Sequence, residues 1–200
     1  MINNIELIKP LLNFENEGDF YMLYVFKRKK DQPEGERDNH QSVRTIKTYC
    51  VDSVEYLEKR YDEIKQLCEM FKARAYIHVQ KQNHKDVSLE MMVSLAEKIR
   101  NGQTNQKGLF DSVVGQIKTY EKRWIVDVDS KDNKELLKVK LAIDSCAPFG
   151  KDKIISEIPT KNGYHLITDR FDVMEFNKHF PDTDIQKKNP TLLFLPESLS

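Results

Sequence analysis

The chain has 200 residues, 39% of them hydrophobic and 32% charged, which argues against disorder of the whole and gives enough length to bury a core. Its 32 basic residues balance 32 acidic ones, which argues against a tight, non-specific nucleic-acid binder recognisable by charge. No run reaches the ~20 apolar residues of a membrane span and Met1 to Pro10 lacks the layout of a secretory leader, so a cytoplasmic protein with no membrane partner is expected.

Residues 20–29 (FYMLYVFKRK) are aromatic and aliphatic, residues 43–51 (VRTIKTYCV) alternate apolar with polar, and together they predict a hairpin. Its polar connection, with Pro33 and Gly35, is too long for a tight turn and is expected to be mobile. Asp52 followed by Glu55 has the form of a capping box. Val54, Leu57, Tyr61, Ile64, Cys68 and Phe71 then predict an amphipathic helix. A short strand over 75–79 follows, and a second helix from Ser88 should bury Met91, Met92, Leu95, Ala96 and Ile99. The three cysteines, Cys50, Cys68 and Cys146, are widely spaced in apolar surroundings and read as buried reduced thiols.

Between 102 and 120 only a short helix, 109–117, is legible. The pattern then predicts a strand at 124–128, a helix capped by Asn133 that carries Leu136, Leu137, Leu141 and Ile143, and strands at 153–158 and 164–168. A helix at 172–180 and a final strand at 191–195 complete the order. The expected fold class is α+β. An N-terminal α/β module, about 1–120, would pack on an RNA-recognition-like, ferredoxin-like βαββαβ module, about 121–200.

Side chains two apart on a strand share a face, so Asp127 and Asp129 would stand side by side while Val126 and Val128 face the other way. Two adjacent carboxylates repel unless a hard cation neutralises them, and Mg²⁺ uses one or two carboxylates plus phosphate and water. Taken alone, the pair reads equally as a metal site or as a strand end where Asp129 begins a turn. Thr160-Lys161-Asn162-Gly163-Tyr164-His165 puts a hydroxyl, a lysine, a glycine that permits close backbone approach and an imidazole at one turn, a plausible phosphate cradle. His78 and His179 read as structural. Asp184, preferred over Asp182 because the chain after it continues toward a strand, could add a third carboxylate beside the first strand.

These three elements, in this order, resemble the motifs of the archaeo-eukaryotic primase superfamily, which includes primase-polymerases and the polymerase domains of bacterial end-joining ligases. Val126-Asp127-Val128-Asp129 matches its hydrophobic-Asp-hydrophobic-Asp strand. Its Ser-Gly-x-Gly-x-His motif stands here with Thr160 for Ser and Lys161 for the first Gly. Its hydrophobic-Asp motif corresponds loosely to Thr183-Asp184. The resemblance implies a primase-like catalytic core performing template-directed nucleotidyl transfer in DNA replication or repair. Asp127, Asp129 and Asp184 would hold Mg²⁺ or Mn²⁺, and Thr160, Lys161, Gly163, His165 and Lys187 would bind a nucleoside triphosphate. The partner would be a single-stranded or primed template. No GxxxxGK[ST] loop and no zinc-type cysteine pair occurs, so an unwinding helicase would be a separate protein. Two rival expectations remain, a metal-dependent nuclease using the same carboxylates and a non-catalytic nucleic-acid-binding accessory protein using Lys27–Lys30 and sheet aromatics.

Overall fold

The computed structural model of the chain describes residues 1–32, 43–119 and 121–199; the predicted mobile connection with Pro33 and Gly35 lies outside the described residues. The chain is a mixed α+β protein built on two antiparallel sheets. The larger sheet has the order β1 (Ile2–Asn3), β10 (Thr191–Leu195), β4 (Arg74–Ile77), β2 (Asp19–Arg28) and β3 (Val43–Val51), with β5 (Gln82–Asn83) pairing β2. The smaller has the order β7 (Ile154–Pro159), β8 (Tyr164–Thr168), β6 (Trp124–Val128) and β9 (Asp184–Gln186).

Alternation along β2 divides its side chains between two faces. Tyr21, Leu23 and Val25, with Ala75 and Ile77 of β4, pack on Leu57, Tyr61, Ile64 and Cys68 of helix α2 (Val54–Phe71). Phe20 and Met22 point the other way. There they meet Val87 of α3 (His84–Arg100) and Leu109 and Val113 of α4 (Leu109–Gln116). In the smaller sheet Val126, Val128 and Leu166 are covered by Leu136, Val139 and Ile143 of α5 (Asn133–Ser145) and Phe176 of α6 (Val173–Asn177). Its opposite face sends Ile125, Ile158 and Ile167 into the α2 core. At roughly 1.5–3 kcal/mol for each buried isoleucine, these three fasten the two sheets into one core. The buried Asn4 amide reinforces the seam by donating to the carbonyls of Pro159 and Leu192, both at 2.9 Å.

The final strand differs from expectation. Thr191–Leu195 does not close the smaller sheet but runs between β1 and β4 of the larger one, and Asp184–Gln186 takes the fourth place in the smaller. All five residues of β10 are buried, as suits a strand covered on both faces, whereas Asp184-Ile185-Gln186 alternates polar and apolar as suits an edge. Three helix starts also shift. Ser53, not Asp52, caps α2 by accepting the Tyr56 N–H, Asn83 starts α3 ahead of Ser88, and Asp132, not Asn133, caps α5. In each case the cap is the residue whose side-chain oxygen reaches a free amide of the first turn. Met91 and Leu95 pack against the Phe20 cluster, while Met92, Ile99, Leu137 and Leu141 are exposed. Cys68 and Cys146 are buried free thiols and Cys50 is half-buried. Burial pushes the Cys68 thiol up to about 12.

His78, at the end of β4, packs edge-on against Tyr24 at 5.7 Å, and burial lowers its imidazole from 6.5 to about 4. A folded-state value below the unfolded one means that the unfolded chain binds the proton first as pH falls. The stability tied to this ring is therefore complete above pH 6.5 and is lost on acidification toward about pH 4. The expected loss is of order 2 kcal/mol, since the half-buried ring keeps some solvent contact. Urea unfolding of wild type and His78→Asn at pH 7 and pH 4.5 measures it as a difference in pH dependence between the two.

Candidate functional site

The site forms where the inner face of the smaller sheet changes from apolar to polar. Ile125 is buried in the shared core, and two residues along β6 the same face carries Asp127. Register sets its neighbours. Asp127 lies opposite His165 of β8 on one side and opposite Asp184 of β9 on the other, so an imidazole and two carboxylates stand in one row across three strands. Directly opposed positions hold their Cβ atoms about 4.5–5.5 Å apart. Asp129 follows on the same face just beyond the strand.

Gly163 holds the next segment against this row. A Cβ there would stand 1.9 Å from the Val128 carbonyl oxygen and 2.6 Å from the Ser130 nitrogen, so the turn at 160–163 rests backbone to backbone on the end of β6. Thr160 closes that turn. Its N–H donates to the Gly163 carbonyl at 2.8 Å and its hydroxyl accepts the Gly163 N–H at 3.1 Å. The Thr160 hydroxyl thus shapes the loop by accepting, keeps its O–H as a donor, and belongs to a residue that lines the cleft. Lys161 and Asn162 lie at the cleft rim, with the Lys161 ammonium donating to the Leu199 carbonyl at 2.6 Å.

His165 is buried, its Nδ1 2.9 Å from the Thr191 hydroxyl and its Nε2 3.6 Å from Asp127 Oδ1. Desolvation lowers it to about 4, against the opposing pull of Asp129 and Asp184, so the ring is neutral at pH 7. It can offer a phosphate one hydrogen bond but not a positive charge.

Positive charge comes instead from the larger sheet, whose face opposite α2 overhangs the row. Arg28, Arg74 and Tyr76 line one cleft together with Asp127, Asp129, His165 and residues 160–162. The opening continues past Phe26, Gln186, Asn189 and Pro190. Phe26 and Tyr76 stack with centroids 4.8 Å apart and planes 8° from parallel, giving the cleft a flat aromatic wall. Arg28 is exposed at the end of β2 and close enough to His165 to hold its pKa down. Arg74 is buried and pairs with Asp31 at 2.7 Å, while its Nε has no hydrogen-bond partner among the described residues. Breaking a buried pair strands the remaining charge. Arg74→Met is therefore expected to cost about 3 kcal/mol in urea unfolding, whereas Arg28→Met at the exposed position should cost under about 0.5 kcal/mol.

Arg28, Arg74 and Tyr76 were not singled out by motif. The signal available was the alternation in Arg74-Ala75-Tyr76-Ile77, which sends Ala75 and Ile77 to the core and the polar pair to the other face. Lys187 is not brought to this cleft. Its ammonium sits 5.0 Å over the ring of Trp124, at the opposite end of β6 from Asp127.

Among the described residues no group of three or more His, Cys, Asp or Glu side chains converges to hold a metal ion by itself. The donor set is nonetheless hard and anionic: Asp127 and Asp129 line the cleft, and Asp184, in register opposite Asp127 and accepting the Gln186 amide at 2.7 Å, stands beside it. That set fits an ion that takes its remaining ligands from water and phosphate, the usual habit of Mg²⁺. Comparison of the chain with protein-family models, with curated proteins and with solved structures finds no match.

Proposed function

We propose that the chain is a metal-dependent nucleotidyltransferase of the primase-polymerase kind, extending a nucleic-acid strand from nucleoside triphosphates in replication or repair. The observation that carries this reading is one cleft that Asp127, Asp129 and His165 line together with Arg28 and Arg74, with Asp184 in register opposite Asp127 on the neighbouring strand. Carboxylates on one wall and guanidinium groups on the other suit a phosphate chain with a divalent ion on one side. The order of the three motifs supports the same reading, as does the strand order β7–β8–β6–β9, which suits an RNA-recognition-like module.

In the reaction the 3′-hydroxyl oxygen of the strand bonds to the α-phosphorus, the bond to the bridging oxygen breaks, and pyrophosphate leaves with the electron pair. The hydroxyl proton passes to solvent or to a neighbouring carboxylate. Bound Mg²⁺ or Mn²⁺ would stabilise the charge on the attacking and leaving oxygens. Asp127, Asp129 and Asp184 would hold the ion, and exposed Arg28 would neutralise the outer phosphates, with Arg74, paired to Asp31, fixing the wall behind it. Neutral His165 donates one hydrogen bond. The Gly163 turn fixes the distance between β6 and the cleft rim, and the Phe26–Tyr76 wall offers a surface on which a base can stack.

Incubating the chain with a primed template, nucleoside triphosphates and Mn²⁺ should lengthen the primer, and Asp127→Ala or Asp129→Ala should stop it. Lengthening that survives both substitutions contradicts the assignment. Shortening of a labelled strand without nucleotides would instead identify a nuclease.

A further inference from the structure

Two basic clusters far apart in sequence meet on the other side of β6 from the carboxylates. Lys118, Lys122, Arg170, Lys187 and Lys188 line one cleft around Trp124, and no carboxylate is among its lining residues. The chain as a whole carries equal numbers of acidic and basic residues, so this is a local segregation of charge. The cleft is a built feature. Gln80, itself buried, donates its amide to the carbonyls of both Arg123 and Lys187 at 2.6 Å and accepts the Thr119 hydroxyl at 3.0 Å, which locks together the segments that carry the cations. Lys188 is anchored on the carbonyls of Gly115 and Gln116 at the end of α4, and Lys187 lies over the indole at 5.0 Å.

Gathering five cations is unfavourable unless a polyanion joins them. A concave, cation-lined groove with an aromatic ring inside it suits a single nucleic-acid strand, which offers phosphates to the cations and a flat base to the indole. An acidic peptide has phosphate-like charge but no base to stack. Trp124 and Asp127 lie three residues apart on β6, about 10 Å along it, and this odd spacing sets them on opposite faces of the sheet, so the cleft is a site of its own beside the row of Asp127.

We infer that the cleft around Trp124 holds a single nucleic-acid strand, with a base on the indole and phosphates on Lys122, Arg170 and Lys187. This binding does not depend on the nucleotidyl-transfer reading. Trp124 is the single tryptophan of the chain, so its fluorescence reports the site directly. Titrating the full chain with a single-stranded oligonucleotide, without metal or nucleotide, should quench that emission and raise the anisotropy of a labelled strand. In the double variant Lys122→Glu and Arg170→Glu, both at exposed positions, the Kd should rise at least about tenfold, and the dependence of log Kd on log salt should fall by about 1.4 in slope, with melting temperature unchanged. No quenching, or binding that the double variant leaves intact, overturns the inference, as does equal quenching by poly-glutamate or by anionic vesicles. A chain that binds and quenches but never extends a primer refutes the catalytic reading and leaves the cleft standing. Primer extension without quenching does the reverse.

Discussion

Gly163→Ala is expected to destabilise the protein by more than about 3 kcal/mol and to abolish binding at the cleft, because nothing near the added methyl can yield cheaply. Its Cβ would meet the Val128 carbonyl oxygen at 1.9 Å, the Ser130 nitrogen at 2.6 Å and the Ser130 carbonyl oxygen at 2.8 Å, all of them backbone atoms. Relief requires the turn at 160–163 to move away from β6. Such a movement breaks the pairing of Val128 with Tyr164 and pulls His165 out of line with Asp127. Urea unfolding and amide exchange across 124–128 and 164–168 measure the effect. Thr160→Ala is the control, since it removes a single hydrogen bond within the turn and should cost only about 1 kcal/mol. A Gly163→Ala protein as stable as wild type would mean that the turn does not rest on β6.

The second large effect is chemical rather than structural. Asp127→Asn keeps the shape of the side chain and removes the charge at the centre of the His165–Asp127–Asp184 row. A divalent ion supplies several kcal/mol of transition-state stabilisation in phosphoryl chemistry. Losing its central carboxylate should therefore lower primer extension by about 10³-fold or more at 1.4 kcal/mol for each factor of ten. Asp127 keeps 24% side-chain exposure, so the melting temperature should move little. Asp184→Asn, at an exposed edge-strand position, should lose less activity than Asp127→Asn, and this ranking distinguishes a site centred on β6 from one centred on β9.

Much of the fold was legible in local pattern. The strands Val43–Val51, Trp124–Val128 and Tyr164–Thr168 fall where alternation predicts them, and α2 buries Leu57, Tyr61, Ile64 and Cys68 as its spacing requires. What local pattern cannot carry is partnership. Thr191–Leu195 is equally apolar whichever sheet receives it, and its place beside β4 depends on which sheet offers two covered faces. Asp184-Ile185-Gln186 has one apolar residue and does not register as a strand until Asp184 is seen opposite Asp127. The same limit governs the site. Spacing put Asp127 and Asp129 on one face and Gly163 close to His165, but the row with Asp184 is a matter of register between strands. Arg28 and Arg74 reach the cleft only because a second sheet overhangs it. Lys187, three residues from Asp184 in sequence, turns instead to Trp124, where the indole attracts its ammonium.

Electron paramagnetic resonance of Mn²⁺ with a non-hydrolysable nucleoside triphosphate reads the ion at the proposed site without relying on turnover. Wild-type chain should convert the signal of the Mn²⁺–nucleotide complex to a protein-bound form, and Asp127→Asn should leave it unchanged from that of the complex alone. Equal conversion by both proteins, or none by wild type, would contradict a nucleotide–metal site centred on Asp127.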